Sequence, residues 1–332
     1  MTANSIPSAV AASSRAALPT TMRAIRIHRL GGPEGLVYET LPTPTLREGD
    51  ALVRVRAAGI SPAEFTWRLY ETADGRSRLP KIPSHEISGT VAAVSPDVRD
   101  VNIGDDVYAL ADFFREGGAA EYIAVAARDL ALKPRTLDYS AAATVPLSGL
   151  TAWQALFDQG QLQPGQRVLI HGASGGVGSF AVQLARWKGA HVIATASPHN
   201  IEFVRSLGGD EIIDYHSTPF ETAARDVDLV LDTVGGDTLE RSWSVLRPKG
   251  LLITVLRPPS DDWNVNRRAR GLFFIVEPNR IQLIELARLI DAGTVRPRVE
   301  AVYPLDQAVQ AYERGIHDHP RGKIVLTLTN LP

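Results

Sequence analysis

The chain has no cysteine among its 332 residues. Disulfides, thiolate metal sites and a cysteine nucleophile are excluded together. Methionine is nearly absent as well, with Met1 and Met22 the only two. No charge of one sign dominates, since 35 Lys and Arg face 37 Asp and Glu for a net of −2. A strong pull toward nucleic acid or an anionic membrane is thereby excluded. No apolar run approaches the length that spans a bilayer. At 44% hydrophobic and 22% charged residues, the composition is that of a globular protein, expected in the cytoplasm. Residues 1–21 contain no acid, one Arg and no apolar core of a secretory signal. They read as a disordered tail, with a transit peptide left open. Regular patterning starts after Met22, so residues 1–21 are expected to add nothing to the fold.

What is present centres on Gly172-Ala173-Ser174-Gly175-Gly176-Val177-Gly178. It follows the apolar run Val168-Leu169-Ile170, a buried strand. It opens into Phe180–Arg186, a helix whose apolar residues 177, 181, 184 and 185 make one buried stripe. A second strand, His191–Thr195, comes next. Strand, glycine turn, helix and strand form a βαβ nucleotide-binding unit. The glycines let backbone approach a pyrophosphate, and the helix start offers free N–H groups to it.

Residues 23–135 read as β-rich, with an alternating strand at Ala51–Ala57. From Tyr139 the pattern turns helical. Strands at 168–171, 191–195, 228–232 and 251–255 then alternate with helices or loops, which predicts a parallel sheet covered by helices. A helix over Ile281–Ala292, a strand at Val299–Val302, a helix near Asp306–Arg314 and a strand at Lys323–Leu328 close the chain. A β domain thus begins the chain, a nucleotide domain interrupts it, and the tail returns to the β domain. A cleft between two such domains is a natural ligand site.

Several short motifs recur in a telling order. They include Ala58-Gly59-Ile60-Ser61-Pro62, Pro83-Ser84-His85-Glu86-Ile87-Ser88-Gly89 and Gly104-Asp105-Asp106-Val107-Tyr108. Gly117-Gly118-Ala119-Ala120-Glu121-Tyr122, Asp232-Thr233-Val234-Gly235-Gly236 and Gly322-Lys323-Ile324-Val325-Leu326 follow. In order and spacing the chain resembles the medium-chain dehydrogenase/reductase superfamily over about residues 22–330. The likeness is to its zinc-independent quinone oxidoreductase branch, which includes the zeta-crystallins and NADPH-dependent enone reductases. The resemblance implies an α/β protein: a GroES-like β-rich catalytic domain plus a Rossmann domain with a doubly wound parallel sheet. The expected division is a tail at 1–21, catalytic domain at 22–147, cofactor domain at 148–276 and a return to the catalytic domain at 277–330. A homodimer through the sheet edge near Gly271–Val276 is also implied.

Zinc relatives carry a Cys where Ser61 stands, a Gly-His-Glu, and a further ligand near the hinge helix. Here only His85-Glu86 remains, short of three protein ligands. No metal is expected, and His85 reads as a packed remnant. His317 and His319 read as parts of a solvated loop.

NAD-binding folds place an acid about 20 residues beyond the glycines, on the ribose hydroxyls. The loop Thr195-Ala196-Ser197-Pro198-His199-Asn200 has none before Glu202. That leaves room for a 2′-phosphate, with Ser197, His199 and Asn200 as donors and Tyr215 beyond the next strand. NADPH is the expected cofactor, although no Lys or Arg occupies the loop. The resemblance implies Thr151 near the nicotinamide, with Thr233 and Gly235 near the adenosine or ribose. It also implies Val255 and Leu256 past the carboxamide, and Phe273 and Phe274 along the nicotinamide edge. For Thr233, Leu256 and Phe274, ordinary strand packing is an equal alternative.

Without a Lewis acid, the hydride acceptor must already be electrophilic: a quinone, an α,β-unsaturated carbonyl or an enoyl thioester. The pocket is expected in Ser61–Tyr70. Relatives have Asn where Ser61 stands and Asp where Glu64 stands, so both are candidate catalytic residues. Tyr70 lies near a proton-donating Tyr of related enoyl reductases, slightly displaced, and is read as donor or pocket wall. Phe113 and Phe114 are candidates for another wall. A reductase of small quinones or enones is the reading. An NADPH-binding structural or regulatory protein of the same fold is the alternative.

Overall fold

The computed structural model describes residues 18–67, 70–72, 74–257, 268–318 and 320–328. Strands β1 (Thr21–Ile27) and β2 (Leu36–Pro42) pair as an antiparallel hairpin. The hairpin reaches back past Met22: Thr21 pairs with Pro42, and Thr20 C=O accepts from Thr43 N–H at 3.0 Å. The last two residues of the expected tail therefore belong to the fold. Residues 1–17 lie outside those described.

Strands β3 (Asp50–Gly59), β4 (Glu86–Val94), β5 (Asp106–Leu110), β6 (Tyr122–Ala126) and β7 (Ala131–Leu132) build the first domain's main sheet. The alternation in β3 predicts one wet face. Only Arg54 and Arg56 are even half-exposed, because β3 is paired along its length by β4, β6 and the final strand. Ile25, Leu52, Ile60, Phe65, Ile87 and Ile123 form the core beneath.

Helix α1 (Tyr139–Ala142) starts on Asp138, whose side chain accepts from Ala141 N–H. Capping of this kind satisfies a donor the helix cannot. Helix α2 (Pro146–Trp153) runs on into a π-helical turn, Gln154–Gln159.

The second domain then alternates. Its elements are β8 (Arg167–Ile170), α3 (Gly176–Lys188), β9 (His191–Ala196), α4 (Ile201–Ser206) and β10 (Glu211–Asp214). They continue as α5 (Phe220–Ala223), β11 (Val227–Asp232), α6 (Gly236–Arg241), β12 (Leu246–Thr254) and β13 (Arg270–Phe273). The sheet is parallel, in the order β10-β9-β8-β11-β12-β13. The chain winds one way from β8 to β10 and the other way from β11 to β13. Ligands bind such sheets at the strand ends beside the reversal. Helix α3 is buried all round from Gly178 to Ala185 rather than along one stripe, because α2 packs on its outer side. Val177 is only half-buried and faces the cleft described below.

Helix α7 (Arg280–Asp291) packs its Leu283, Leu286 and Leu289 into the second domain's core, on α2. Strand β14 (Val299–Pro304), helix α8 (Ala308–His317) and strand β15 (Lys323–Thr327) complete the first domain, β15 pairing with β3 and β14. The chain thus crosses between domains twice, and a cleft opens along the seam. Among the described residues no helix is long and apolar enough to cross a membrane.

Candidate active site

The cleft has a volume of about 1260 Å³ and runs from the glycine turn to the Ser61 turn. Gly172, Ser174, Gly175, Gly176 and Val177 form its floor. Gly172 has φ +69°, and a Cβ there would lie 2.4 Å from Thr233 Oγ1. Only glycine fits such a position. Gly178 lies one turn into α3 and outside the lining. A Cβ on it would meet the Gly172 carbonyl at 2.1 Å, so it permits close helix–strand packing. The C-terminal segment docks on this turn, with Gly322 N–H donating to Ser174 C=O at 2.9 Å.

Beneath the floor sits His171, which the sequence motifs did not single out. Its ring is 1% exposed and stacks edge-on to Phe220. Nδ1 lies 3.0 Å from Thr195 Oγ1, and Nε2 3.0 Å from Ser242 Oγ. Ser242 gives its own proton to Thr238 C=O at 2.6 Å, so Nε2 carries the ring proton and Thr195 donates to Nδ1. Burial, then nearby Arg241, holds the imidazole down at about 3. It stays neutral, and Thr195 offers the cleft lone pairs rather than a proton.

The end of β9 and the loop after it line the cleft with Thr195, Ala196, Ser197 and Asn200, and Tyr215 faces it from beyond β10. The His199 side chain is not part of the lining. Its carbonyl accepts instead from Arg321. Arg321 Nε also donates to Asn200 Oδ1 at 2.5 Å, while Asn200 Nδ2 reaches Ser197 Oγ at 3.0 Å and Ser174 Oγ at 3.2 Å. A guanidinium from the far end of the chain therefore braces this loop, although Arg321 is itself outside the lining, whose Arg and Lys residues are Arg241, Arg257 and Lys323. Thr233, Val255, Leu256, Phe273 and Phe274 also line the cleft.

At the other end, Ser61, Trp67, Phe113, Leu147 and Thr151 surround an apolar recess. Trp67 and His85 each meet the Phe113 ring edge-on, at 5.3 and 5.2 Å. His85 is 3% exposed with Nδ1 unpartnered among the described residues, and burial, with Lys81 nearby, lowers it to about 3. It packs as a remnant would. Phe114, expected as wall, points to solvent at 64% exposure. Thr151 gives its hydroxyl to Leu147 C=O at 2.6 Å.

Two expected catalytic side chains do not reach the cleft. Tyr70 is 2% exposed in the first domain's core, its hydroxyl without a partner among the described residues. Burial, then Glu64 and Glu116, pushes it well above the usual tyrosine range. It cannot act there as a proton donor to a bound acceptor. Glu64 is 1% exposed and works behind the wall. It accepts from Ser61 N–H at 3.0 Å, Ser84 N–H at 2.7 Å and Tyr312 Oη–H at 3.3 Å. One carboxylate thereby ties the Ser61 turn to the His85-Glu86 strand. Arg68, Leu69 and His319 fall outside the described residues, and His317 is exposed at the end of α8.

Whether a dinucleotide fits can be judged from the cleft itself. Ser148 Oγ lines it, is buried, and has no partner among the described residues. A Cβ on neighbouring Gly176 would lie 2.9 Å from that oxygen. An orphaned hydroxyl beside a glycine floor and a helix start suits a diphosphate.

Residues 47–135 match the alcohol dehydrogenase GroES-like domain family, and residues 207–326 the zinc-binding dehydrogenase family. A probable zinc-binding mitochondrial oxidoreductase of Arthroderma benhamiae is 35% identical over 310 residues, covering 88% of this chain and 92% of that one. The chain belongs to the medium-chain dehydrogenase/reductase family of oxidoreductases. A chloroplastic NADPH-dependent alkenal/one oxidoreductase of Arabidopsis thaliana is 31% identical, over 97% of this chain and 83% of its own. The solved quinone oxidoreductase of Coxiella burnetii superposes with a TM-score of 0.86 at 33% identity, over 93% of this chain and 99% of that one. The chain is an enzyme of this family that uses a nicotinamide cofactor. Zinc appears in some of these names. Among the described residues no group of three His, Cys, Asp or Glu could hold a metal, and Glu86 is committed to Lys323 at 2.5 Å.

Proposed function

We propose that this oxidoreductase reduces a conjugated enone or a quinone with NADPH, without zinc. The observation that carries the reading is the cleft's polarity. A polar loop of Ser197 and Asn200, braced by Arg321, stands at one end, and an apolar recess with the Ser61 hydroxyl at the other. Asn200, Ser197 and Tyr215, with Arg321 bracing Asn200, would hold the 2′-phosphate, and Ser148 with the α3 start the diphosphate. Bound there, the nicotinamide supplies the hydride. Trp67, Phe113 and Phe274 exclude water and orient a planar acceptor. Ser61 donates a hydrogen bond to the oxygen on which charge develops, the kind of donor that stabilises an oxyanion most when water is excluded.

The names of the Arabidopsis and Coxiella relatives support this choice of acceptor. The structural or regulatory alternative is not favoured, since relatives are named as alkenal/one and quinone oxidoreductases. The expected homodimer would form beside β13, the last strand of its sheet among the described residues, with exposed Ile275 just beyond. The cytoplasm, expected from composition, is retained as the compartment. The test is oxidation of NADPH and NADH against a panel of quinones, enones and primary alcohols. Clear turnover of a quinone or enone with NADPH is expected, and negligible turnover of simple alcohols with NADP+. Preference for NADH or for alcohols would refute the reading.

A further inference from the structure

A buried ion pair stands on the wall of the recess, unused by the reading above. Lys323 is 8% exposed and Glu86 1%. Lys323 Nζ lies 2.5 Å from Glu86 Oε1 and donates to Ser61 Oγ at 2.9 Å. Glu86 Oε2 accepts from Leu147 N–H at 3.1 Å, which fixes the carboxylate. Such pairs are expensive to desolvate, and apolar replacements are often no less stable. Stability alone therefore does not account for it.

The proton on Ser61 decides what the pair is for. An ammonium occupies a lone pair of the Ser61 oxygen, so that oxygen is an acceptor toward Lys323. Among the described residues nothing accepts the serine's own proton. Ser61 lines the recess, and the free O–H is left to point into it. Donation from a cation polarises a hydroxyl and strengthens its outgoing bond. We propose that Lys323 and Ser61 form a proton relay into the recess, with Ser61 the catalytic donor, Lys323 recharging it and Glu86 a positioning residue that holds Lys323.

The inference rests on the enone reading of the site. Hydride addition at the β carbon shifts the π pair and leaves an enolate oxygen. The Ser61 O–H bond breaks as an O–H bond forms on that oxygen. A Lys323 N–H bond breaks as the Ser61 O–H bond re-forms, leaving a neutral amine. Water returns a proton to the amine after product departs, and the released enol becomes the ketone in solvent. No further oxidant or reductant is needed.

A quinone provides the internal comparison, because it is the stronger hydride acceptor and needs less acid assistance. Steady-state rates with 3-buten-2-one and with 1,4-benzoquinone should be measured for Ser61→Ala, Lys323→Met and Ser61→Thr, with NADPH Kd alongside. General acid assistance is typically worth 10²–10⁴-fold. Ser61→Ala and Lys323→Met are expected to lower the enone kcat about 100-fold, at least tenfold further than the quinone kcat. NADPH Kd should stay within twofold. Ser61→Thr, which keeps the hydroxyl, should restore most of the enone rate. If Lys323→Met fails to fold with Glu86 unpaired, Glu86→Gln/Lys323→Met removes both charges and should show the same enone defect. Equal losses with both acceptors, or a tenfold rise in NADPH Kd at unchanged kcat, would overturn the relay and make Lys323 a cofactor ligand. Unchanged enone rates would overturn it outright. A wild-type protein inert toward both acceptors would instead overturn the enone reading, and the relay with it.

Discussion

On the proposed reading, Arg321 is the residue on which a preference for NADPH is tested. Its guanidinium is held against Asn200 and the His199 carbonyl and lies 5.8 Å over the Phe203 ring. A planar, permanently charged fork is well suited to a phosphate. Arg321→Met should weaken NADPH about tenfold, or ~1.4 kcal/mol, and leave NADH nearly unchanged, as read by fluorescence titration. Ala196→Asp, placing a carboxylate at the end of β9, should level or reverse the preference by repelling the 2′-phosphate. Tyr70 gives the opposite kind of test. Its hydroxyl is buried and unpartnered among the described residues, and removing an unsatisfied polar group is neutral or stabilising. Tyr70→Phe should keep kcat within twofold and keep or raise the Tm. A large loss of turnover with intact cofactor binding would restore Tyr70 as the donor.

At the scale of elements, the short 3-10 turn Pro62–Thr66 carries more than its five residues imply. Ser61 and Glu64 close it as a capping box. Glu64 then extends the brace to Ser84, which sits at φ +66° beside the His85-Glu86 strand. Burial pushes the Glu64 carboxyl up to about 7, against the pull of Ser84 and Ser61 N–H groups and Lys323. The folded protein therefore binds a proton there more tightly than the unfolded chain does. This contribution is complete below the free-carboxyl value of 4.5 and is lost as pH rises through about 7. The change is on the order of 3 kcal/mol. Thermal unfolding of wild type and Glu64→Gln from pH 4.5 to 8 checks it. The Tm advantage of wild type should shrink as pH rises, and a difference that grows with pH would contradict the sign.

For the whole molecule, the seam between domains is held by the last strand. β15 pairs with β3 inside the first sheet, while Gly322 bonds to Ser174 on the glycine turn and Lys323 reaches Ser61 and Glu86. One segment thus touches both domains and both ends of the cleft. The proposed dimer belongs to this scale. Light scattering after size exclusion should give twice the 36.0 kDa chain mass. Ile275→Asp, beside β13, should shift the equilibrium toward monomer, and no shift would move the interface elsewhere. Elemental analysis should find far less than one zinc per chain, and EDTA should not lower turnover. Stoichiometric zinc whose removal abolishes activity would refute the metal-free reading.

Local pattern alone determined the order of strands and helices, because apolar periodicity and glycine turns act over a few residues. The glycine floor and the Thr195–Asn200 loop were legible for the same reason, each following a β strand, whereas Tyr215, Thr233, Val255 and Phe273 rest on the family resemblance rather than on spacing. The sequence likewise determined that no thiolate could serve as a ligand or nucleophile. Tertiary structure decided what depends on residues far apart in the chain. Arg321 meets Asn200 across 121 positions, and Lys323 meets Ser61 across 262. No local spacing could have signalled either. The basic residue that braces the Thr195–Asn200 loop and the cation behind Ser61 both arrive on the returning C-terminal segment. Tyr70 and Glu64 lie outside the cleft lining on the same ground. Their sequence neighbourhood placed them near Ser61, but both side chains are buried in the first domain, one as a hydroxyl unpartnered among the described residues and the other as a brace.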